Sequence, residues 1–380
     1  MHITNRTLFR LTRFLLLNIP PLLIFLSKFR RPKKRLLIVK TDAIGDYILF
    51  RNYIEIVKQS ELYKDYEIDL LGNRLWQDIA INYDTQYVNA FFFVNLETLY
   101  QAPLTTLTWA LRLFRKKYLQ VLQPTQSRTF IGDALAAFSG ARNIIGFEGT
   151  TERINQKYKT KTDKFYTQLL KVPPGTIFEF EVSRFFFETL LNKPVTIDRP
   201  IIKIKNTNKN GVVIFPGAGA SKRNWEADKF LSLIRLILTH TSQSVYIAGG
   251  HQELLLAAYL VKNLPAGGVN NLTGKTSLLQ MIELIDNAAL VISCETSAVH
   301  IAAATETKSI CILGGGHFNR FMPYSENQHG KPLCVFEKMD CYNCNWNCKF
   351  YSHETEPYPC IADIGLDRVW LETIQLLSAI

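Results

Sequence analysis

The sequence predicts an α/β protein built from two doubly wound, Rossmann-like parallel-sheet domains facing one another across a cleft. Two observations carry that expectation. Short β-branched apolar runs alternate with helical stretches along the whole chain, the pattern of repeated βα units. The alternation is interrupted by a polar, turn-rich stretch, Asn206-Thr-Asn-Lys-Asn-Gly211, and then begins afresh. Ligands of such folds bind at the C-terminal ends of the strands, so the turns leaving each strand are where function is sought.

Taken in order, Arg35 to Lys40 reads as a buried strand, Thr41-Asp-Ala-Ile-Gly-Asp46 as a turn and Tyr47 to Gln59 as a helix. Strands follow at Glu67 to Leu71, Tyr87 to Val94, Tyr118 to Leu122 and Asn143 to Phe147, with helices between them at Leu75 to Ile81, Pro103 to Lys116 and Phe130 to Ser139. Gly149 to Pro174 is polar and basic and reads as a loop or lid, and Phe178 to Leu191 as an aromatic-rich helix. The second half restarts with the strand Gly211 to Gly217, then a helix from Glu226 to His240, a strand from Ser244 to Gly250, and helices His251 to Asn263 and Ser277 to Asn287. The run Ala289 to Ser293 reads as a buried parallel strand, breaks into Cys294-Glu295-Thr296-Ser297, and continues as the small-residue helix Ala298 to Thr305. A last strand, Ser309 to Leu313, ends in Gly314-Gly-Gly316, and Asp363 to Ile380 reads as an amphipathic terminal helix.

The formal charge of +11 is unevenly placed: residues 1–41 carry ten Lys and Arg and no acid, while the rest is nearly neutral, with 34 basic against 33 acidic residues. A nucleic-acid footprint spread over the body is therefore disfavoured. The basic head encloses an apolar stretch, Phe14 to Leu26, broken in its middle by Pro20-Pro21 and too short for a comfortable membrane span. With no small-residue cleavage site it is not read as a signal peptide; it fits an interfacial anchor on an anionic cytoplasmic leaflet. Seven Cys are present, four of them clustered as Cys341-x2-Cys344-x3-Cys348-x11-Cys360. That spacing admits a structural zinc ion or a loop of reduced thiols, and disulfides are disfavoured without a secretory signal.

Chemistry concentrates in three turns. Asp42 and Asp46 stand at the first. The second, Gly217-Ala-Gly-Ala-Ser-Lys-Arg-Asn-Trp225, offers glycines that let backbone approach an anion and the cations Lys222 and Arg223. The third places Glu295 where a ribose hydroxyl could be gripped, Thr296 and Ser297 at a helix N-terminus suited to phosphate, and His300 one turn in. A basic loop and a helix N-terminus can stabilise a departing nucleoside diphosphate without a metal, and a carboxylate facing them can take a proton from an incoming hydroxyl. Together they describe glycosyl transfer from a nucleotide sugar.

Thr41-Asp-Ala-Ile-Gly-Asp46, Phe215-Pro-Gly-Ala with Lys222-Arg-Asn-Trp225, Thr273-Gly-Lys-Thr-Ser-Leu278, Glu295-Thr-Ser-Ala-Val-His-Ile-Ala-Ala303 and the terminal Cys cluster resemble glycosyltransferase family 9, the ADP-heptose:lipopolysaccharide heptosyltransferases and relatives. The resemblance runs over roughly residues 35–375. It implies the GT-B fold and an inverting, metal-independent transfer, needing no cofactor, from an ADP-heptose-like donor to a lipid-linked oligosaccharide such as the lipopolysaccharide core. It implies Asp46 as general base, Lys40 near the donor, Lys222 or Arg223 at the diphosphate, and Glu253 by the adenosine. Gly217, Ser221, Glu295, Thr296, Ser297 and His300 complete the implied donor site. The chain departs from the family pattern where Glu295-Thr296-Ser297 replaces the usual Asp-Thr/Ser-Gly, which leaves the donor sugar open.

The expected organisation is a membrane-associating segment at 1–34, an acceptor domain at 35–205, a nucleotide-sugar domain at 206–362 carrying the Cys cluster, and a terminal helix at 363–380 packing back on the first domain. The expected setting is the cytoplasm, peripheral on the inner face of the cytoplasmic membrane, with no nucleic-acid partner. Two enzyme or binding alternatives are a GT-B sugar-nucleotide epimerase and a non-catalytic sugar-nucleotide sensor, the latter opposed by the retained Asp46. A zinc-ribbon nucleic-acid-binding protein would use the Cys cluster and the basic head, but no basic residues interleave with the aromatics around that cluster.

Overall fold

Each half of the chain builds a six-stranded, all-parallel sheet. The computed structural model describes residues 4–204, 209–326, 328–350 and 356–378. Contacts divide the chain into two units, one of residues 1–176 and 181–196, the other of 177–180 and 197–380. The expected boundary at 205/206 lies outside the described residues.

The first unit contains β1 (Lys33–Lys40), β2 (Glu67–Asn73), β3 (Ala90–Val94), β4 (Tyr118–Gln123), β5 (Asn143–Phe147) and β6 (Gln168–Leu170) in the order β3-β2-β1-β4-β5-β6. The second contains β7 (Val212–Phe215), β8 (Val245–Ile247), β9 (Val269–Asn271), β10 (Leu290–Cys294), β11 (Ser309–Ile312) and β12 (Leu333–Val335) in the order β12-β11-β10-β7-β8-β9. Both orders are the doubly wound 3-2-1-4-5-6 arrangement. Each sheet therefore reverses its winding between its first strand and its fourth: β1 beside β4, and β7 beside β10.

The central strands form because they are apolar on both faces. Leu36 to Val39 and Val212 to Ile214 are fully shut from solvent, as a parallel sheet covered by helices requires. The helices start where the sequence supplies caps: the Thr129 hydroxyl accepts from the Gly132 N–H, and Ser277 and Gln280 cap the Leu278–Asn287 helix reciprocally. In the first unit, Leu37, Val39 and Val121 meet Ile131, Leu135 and Phe138 in one core. In the second, Val212, Ile214 and Ile292 meet Phe230, Ile234 and Leu260.

Three expectations are corrected. The head is one unbroken helix, α1 (Arg6–Ser27), with Pro20 and Pro21 inside it. A Pro pair removes two backbone donors, but α1 does not stand alone. The Asn5 carboxamide caps it, and Leu16, Leu17, Pro20 and Leu23 are buried where it packs on the helices Pro103–Arg115 and Phe130–Phe138. By length and composition α1 is long enough to cross a membrane, so the sequence understated it; yet a face of it belongs to the core of the first unit. The segment Gly149 to Pro174 is no simple loop: it holds the Gln156–Thr162 helix and the edge strand β6. The terminal helix Leu366–Ser378 belongs to the second unit, because Val369 completes that core and Trp370, Leu376 and Leu377 pack against it.

Candidate active site

In the first unit, polar residues collect where β1 and β4 diverge. Lys40, the last residue of β1, is buried, and its Nζ lies 2.9 Å from Asp42 Oδ2. Thr125, just beyond β4, donates its hydroxyl to the same oxygen at 2.7 Å, and Arg153 lies 3.9 Å from Asp42 Oδ1. Burial works against the Asp42 charge, but Lys40, Thr125 and Arg153 together outweigh it and hold this carboxyl below its ordinary value. The turn is fixed from beneath: Trp76 donates its indole N–H to the Asp42 carbonyl at 3.1 Å and stacks on Tyr47, ring centroids 3.8 Å apart. Asp46 is half-buried in the first turn of α2 (Ile44–Phe50), and its carboxylate accepts from the Ala43 N–H at 3.2 Å.

The second unit repeats the arrangement where β7 and β10 diverge. After β7 the chain turns through Gly217, and a Cβ there would stand 2.3 Å from Glu253 Cγ, so glycine is what lets the Glu253 side chain lie against this turn. Glu253 Oε2 in turn accepts from the Gly250 N–H at 2.8 Å. Ser221 to Arg223 form a short 3-10 turn, with Ser221 exposed and Lys222 half-buried. Trp225 anchors that turn by donating its backbone N–H to the Cys294 sulfur and its indole N–H to the Ile364 carbonyl. Beyond β10, Thr296 caps the helix Ser297–Ala304, its hydroxyl accepting from the Ala298 N–H at 3.2 Å and meeting Ser293 at 3.0 Å.

Glu295 is the electrostatic centre of this second cluster. It is 8% exposed, and its Oε2 has no hydrogen-bond partner among the described residues. Burial raises its pKa to about 7, against the pull of Arg223 and Arg320. A buried carboxyl with an unsatisfied oxygen is placed to accept from a ligand hydroxyl. His300 is also buried, which lowers its pKa to about 4 and keeps it neutral; its Nδ1 lies 2.9 Å from the Tyr324 hydroxyl. The charges of Arg223 and Arg320 both reach Glu295, Arg223 the more strongly, and the Arg223 guanidinium sits 4.5 Å from the Trp346 ring centroid.

Of the residues predicted from sequence, the structure thus brings together Lys40 with Asp42 at one switch point, Gly217 with Glu253, and Arg223 with Glu295 at the other. Ser221, Lys222, Ser297 and Asp46 lie on the same turns. Sequence reading missed Thr125, Arg153, Arg320 and Tyr324. The basic character of the 149–174 stretch was a signal for Arg153; nothing marks Arg320 and Tyr324, which sit in the irregular stretch after β11.

Of Cys341, Cys344, Cys348 and Cys360, the last is buried, and its sulfur accepts from the Gly315 N–H at 3.4 Å. Burial first, and the other three thiols after it, raise Cys360 to about 11. No group of three or more His, Cys, Asp or Glu among the described residues is set to hold a metal ion, so the geometry does not carry the zinc reading. What the loop does is brace the site: Tyr342 and Trp346 close over Gly314 to Gly316, leaving no room there for a Cβ.

Two Rossmann-like units, each gathering cations and carboxylates at a topological switch point, form a two-domain α/β architecture with its polar residues at the strand ends where such folds bind ligands. Residues 78–345 match the profile of Glycosyltransferase family 9 (heptosyltransferase), and the chain belongs to that family and is a glycosyltransferase. It is 24% identical over 302 residues to lipopolysaccharide heptosyltransferase 3 of Escherichia coli, covering 74% of this chain and 84% of that one. Against the protein of the same name from strain K12 it is 30% identical over 117 residues, which span 30% of this chain and 34% of that protein. Among solved structures, the family 9 glycosyl transferase of Veillonella parvula superposes with a TM-score of 0.69 at 16% identity, covering 92% of this chain and 98% of that one. E. coli heptosyltransferase WaaC with ADP-2-deoxy-2-fluoro heptose superposes with a TM-score of 0.63 at 17% identity, covering 89% and 99%. These structures share the GT-B fold with this chain.

Proposed function

We propose that this protein transfers a sugar, heptose by analogy with its relatives, from a nucleoside-diphosphate donor to a lipid-linked glycan such as the lipopolysaccharide core, with inversion and without a catalytic metal. The observation that carries this reading is the cluster at the β7/β10 switch point: Arg223, the Thr296-capped helix and the buried, unsatisfied Glu295. The name of one structural neighbour pairs it with a fluorinated ADP-heptose, which supports an ADP-sugar here.

In this reading Glu295 accepts from a donor hydroxyl, and Glu253 lies by the nucleoside. Lys222, Arg223 and the positive N-terminal end of the Ser297–Ala304 helix take the diphosphate charge. Asp46 accepts the proton of the acceptor hydroxyl as its oxygen attacks the anomeric carbon. The bond from that carbon to the diphosphate oxygen breaks, and the nucleoside diphosphate leaves with the electron pair, stabilised by the cations instead of by a metal. Lys40, locked to Asp42, holds the first turn in place. The basic, apolar head keeps the enzyme at the inner leaflet, where a lipid-linked acceptor is presented.

A binding screen tests the reading. Of ADP-, GDP-, UDP- and dTDP-sugars, one nucleotide is expected to bind selectively to the purified protein, and Arg223→Ala to weaken it at least tenfold. Failure of every sugar nucleotide to bind at millimolar concentration would overturn it.

A further inference from the structure

Helix α1 does more than cover the first unit. Between α1 and the turn that follows the Gln156–Thr162 helix lies a cavity of about 420 Å³, within the rough 300–1,000 Å³ range of ligand pockets. Its inner wall is apolar, made by Leu17, Ile24 and Phe165, and its mouth carries Lys28, Lys161 and Lys164. All three lysines are exposed. The acid on this turn, Asp163, is turned to Arg128 and Lys159, so it does not neutralise the mouth. No acid is available from the α1 side, because residues 1–41 contain none.

The surface around the cavity fits the same ligand. On the outward side of α1, Phe14 is 60% exposed, Leu22 56% and Phe25 52%, and Phe29, just past the end of the helix, is 77% exposed. On the Pro103–Arg115 helix that packs against α1, Leu104 is 78% exposed and Leu111 52%. Large apolar side chains standing out beside clustered cations are the mark of a surface seated in the headgroup region of an anionic bilayer. A soluble anion would leave Leu17, Ile24 and Phe165 without a partner; an apolar metabolite would leave the lysines without one. A molecule with both an acyl chain and a phosphate satisfies the wall and the mouth at once. Helix α1, which supplies one side of the groove, lies outside the residues that match the family profile, whereas Lys161, Lys164 and Phe165 lie within them.

We propose that this groove holds one anionic phospholipid of the bilayer, with an acyl chain against Leu17, Ile24 and Phe165 and its phosphate among Lys28, Lys161 and Lys164. The site adds a single-lipid anchor to the inner-leaflet reading above and rests on it, but is testable apart from it. Bound lipid would tie α1 to a segment some 140 residues away in sequence and fix how the first unit meets the membrane.

The test uses the full chain and two probes. Native mass spectrometry with dioctanoyl phosphatidylglycerol below its micelle concentration reads the groove. Cosedimentation with vesicles of phosphatidylethanolamine and phosphatidylglycerol, against pure phosphatidylcholine, reads the membrane. Asn18→Trp fills the groove from an exposed position on α1, and the pair Lys161→Glu and Lys164→Glu reverses its mouth; the second variant leaves the helix untouched should the first disturb it. A one-to-one complex with phosphatidylglycerol is expected in the unaltered protein, at least tenfold weaker in both variants and with dioctanoyl phosphatidylcholine. Equal binding by all three proteins, or no one-to-one complex, overturns the groove. Vesicle binding without that complex leaves the membrane reading standing and removes the groove. The complex without vesicle binding keeps the groove and removes the inner-leaflet reading.

Discussion

The Nζ of Lys40 stands 2.9 Å from the Oδ2 of Asp42, and both side chains are closed off from solvent. Removing one partner leaves the other charge buried alone. Asp42→Asn is therefore expected to destabilise the protein by roughly 3–5 kcal/mol, and adding Lys40→Met to recover part of that loss. Thermal unfolding of the two variants checks it. Because the Asp42 pKa is lowered on folding, its contribution is present above its unfolded value near 3.8 and is lost as the pH falls through the folded one. The gap between Asp42→Asn and the unaltered protein should close only in strong acid.

Glu295 has the opposite sign. Its pKa rises on folding from 4.5 to about 7, so the unfolded chain releases this proton first. The penalty is absent below pH 4.5, grows towards 7 and is then constant. Glu295→Gln should stabilise the protein at pH 8 by on the order of 3 kcal/mol, have little effect at pH 4, and weaken donor binding at both. Unfolding at the two pH values, with donor titration beside it, reads all three.

His300 falls from 6.5 to about 4 on folding, so it stays neutral in the folded protein while the unfolded chain takes up a proton. Its stabilising share is present above 6.5 and drains away as the pH drops towards 4. His300→Gln should give a flatter stability profile across that window. Tyr324→Phe, which removes the 2.9 Å contact to His300 Nδ1, should cost about 1 kcal/mol at neutral pH.

Gly217→Ala would place a methyl group 2.3 Å from Glu253 Cγ. We expect Glu253 to be driven aside and nucleotide affinity to fall about tenfold, with a fold-stability loss of about 1–3 kcal/mol from overpacking. Combining it with Glu253→Ala should restore stability but not affinity, as calorimetric titration and thermal melts would show.

The sequence made the central strands legible because β1, β7 and β10 are apolar on both faces and end in turns that open helices. It did not mark β6, β9 and β12. Each is a three-residue edge strand, and its place comes from the neighbour it pairs with instead of from its own pattern. Pro20-Pro21 misled because local propensity reads them as a break, whereas packing of Leu16 and Leu23 on two helices holds α1 together. The site was legible wherever it lies in a strand-to-helix turn. Arg320 and Tyr324 were not, because the stretch between β11 and β12 has no periodicity, and only the fold brings them to Glu295 and His300.

The most direct test of the account is the transfer rate of Asp46→Asn with saturating ADP-heptose and a lipid-linked core acceptor, with EDTA present throughout and ADP affinity measured in parallel. The substitution keeps the size of the side chain and removes its basicity. The account predicts that the unaltered enzyme turns over in EDTA, that the variant loses roughly 10²–10⁴-fold in rate, and that ADP affinity stays within about twofold. Transfer by Asp46→Asn within a few-fold of the unaltered rate would contradict Asp46 as the base, and loss of all transfer in EDTA would contradict a metal-free departure of the nucleotide.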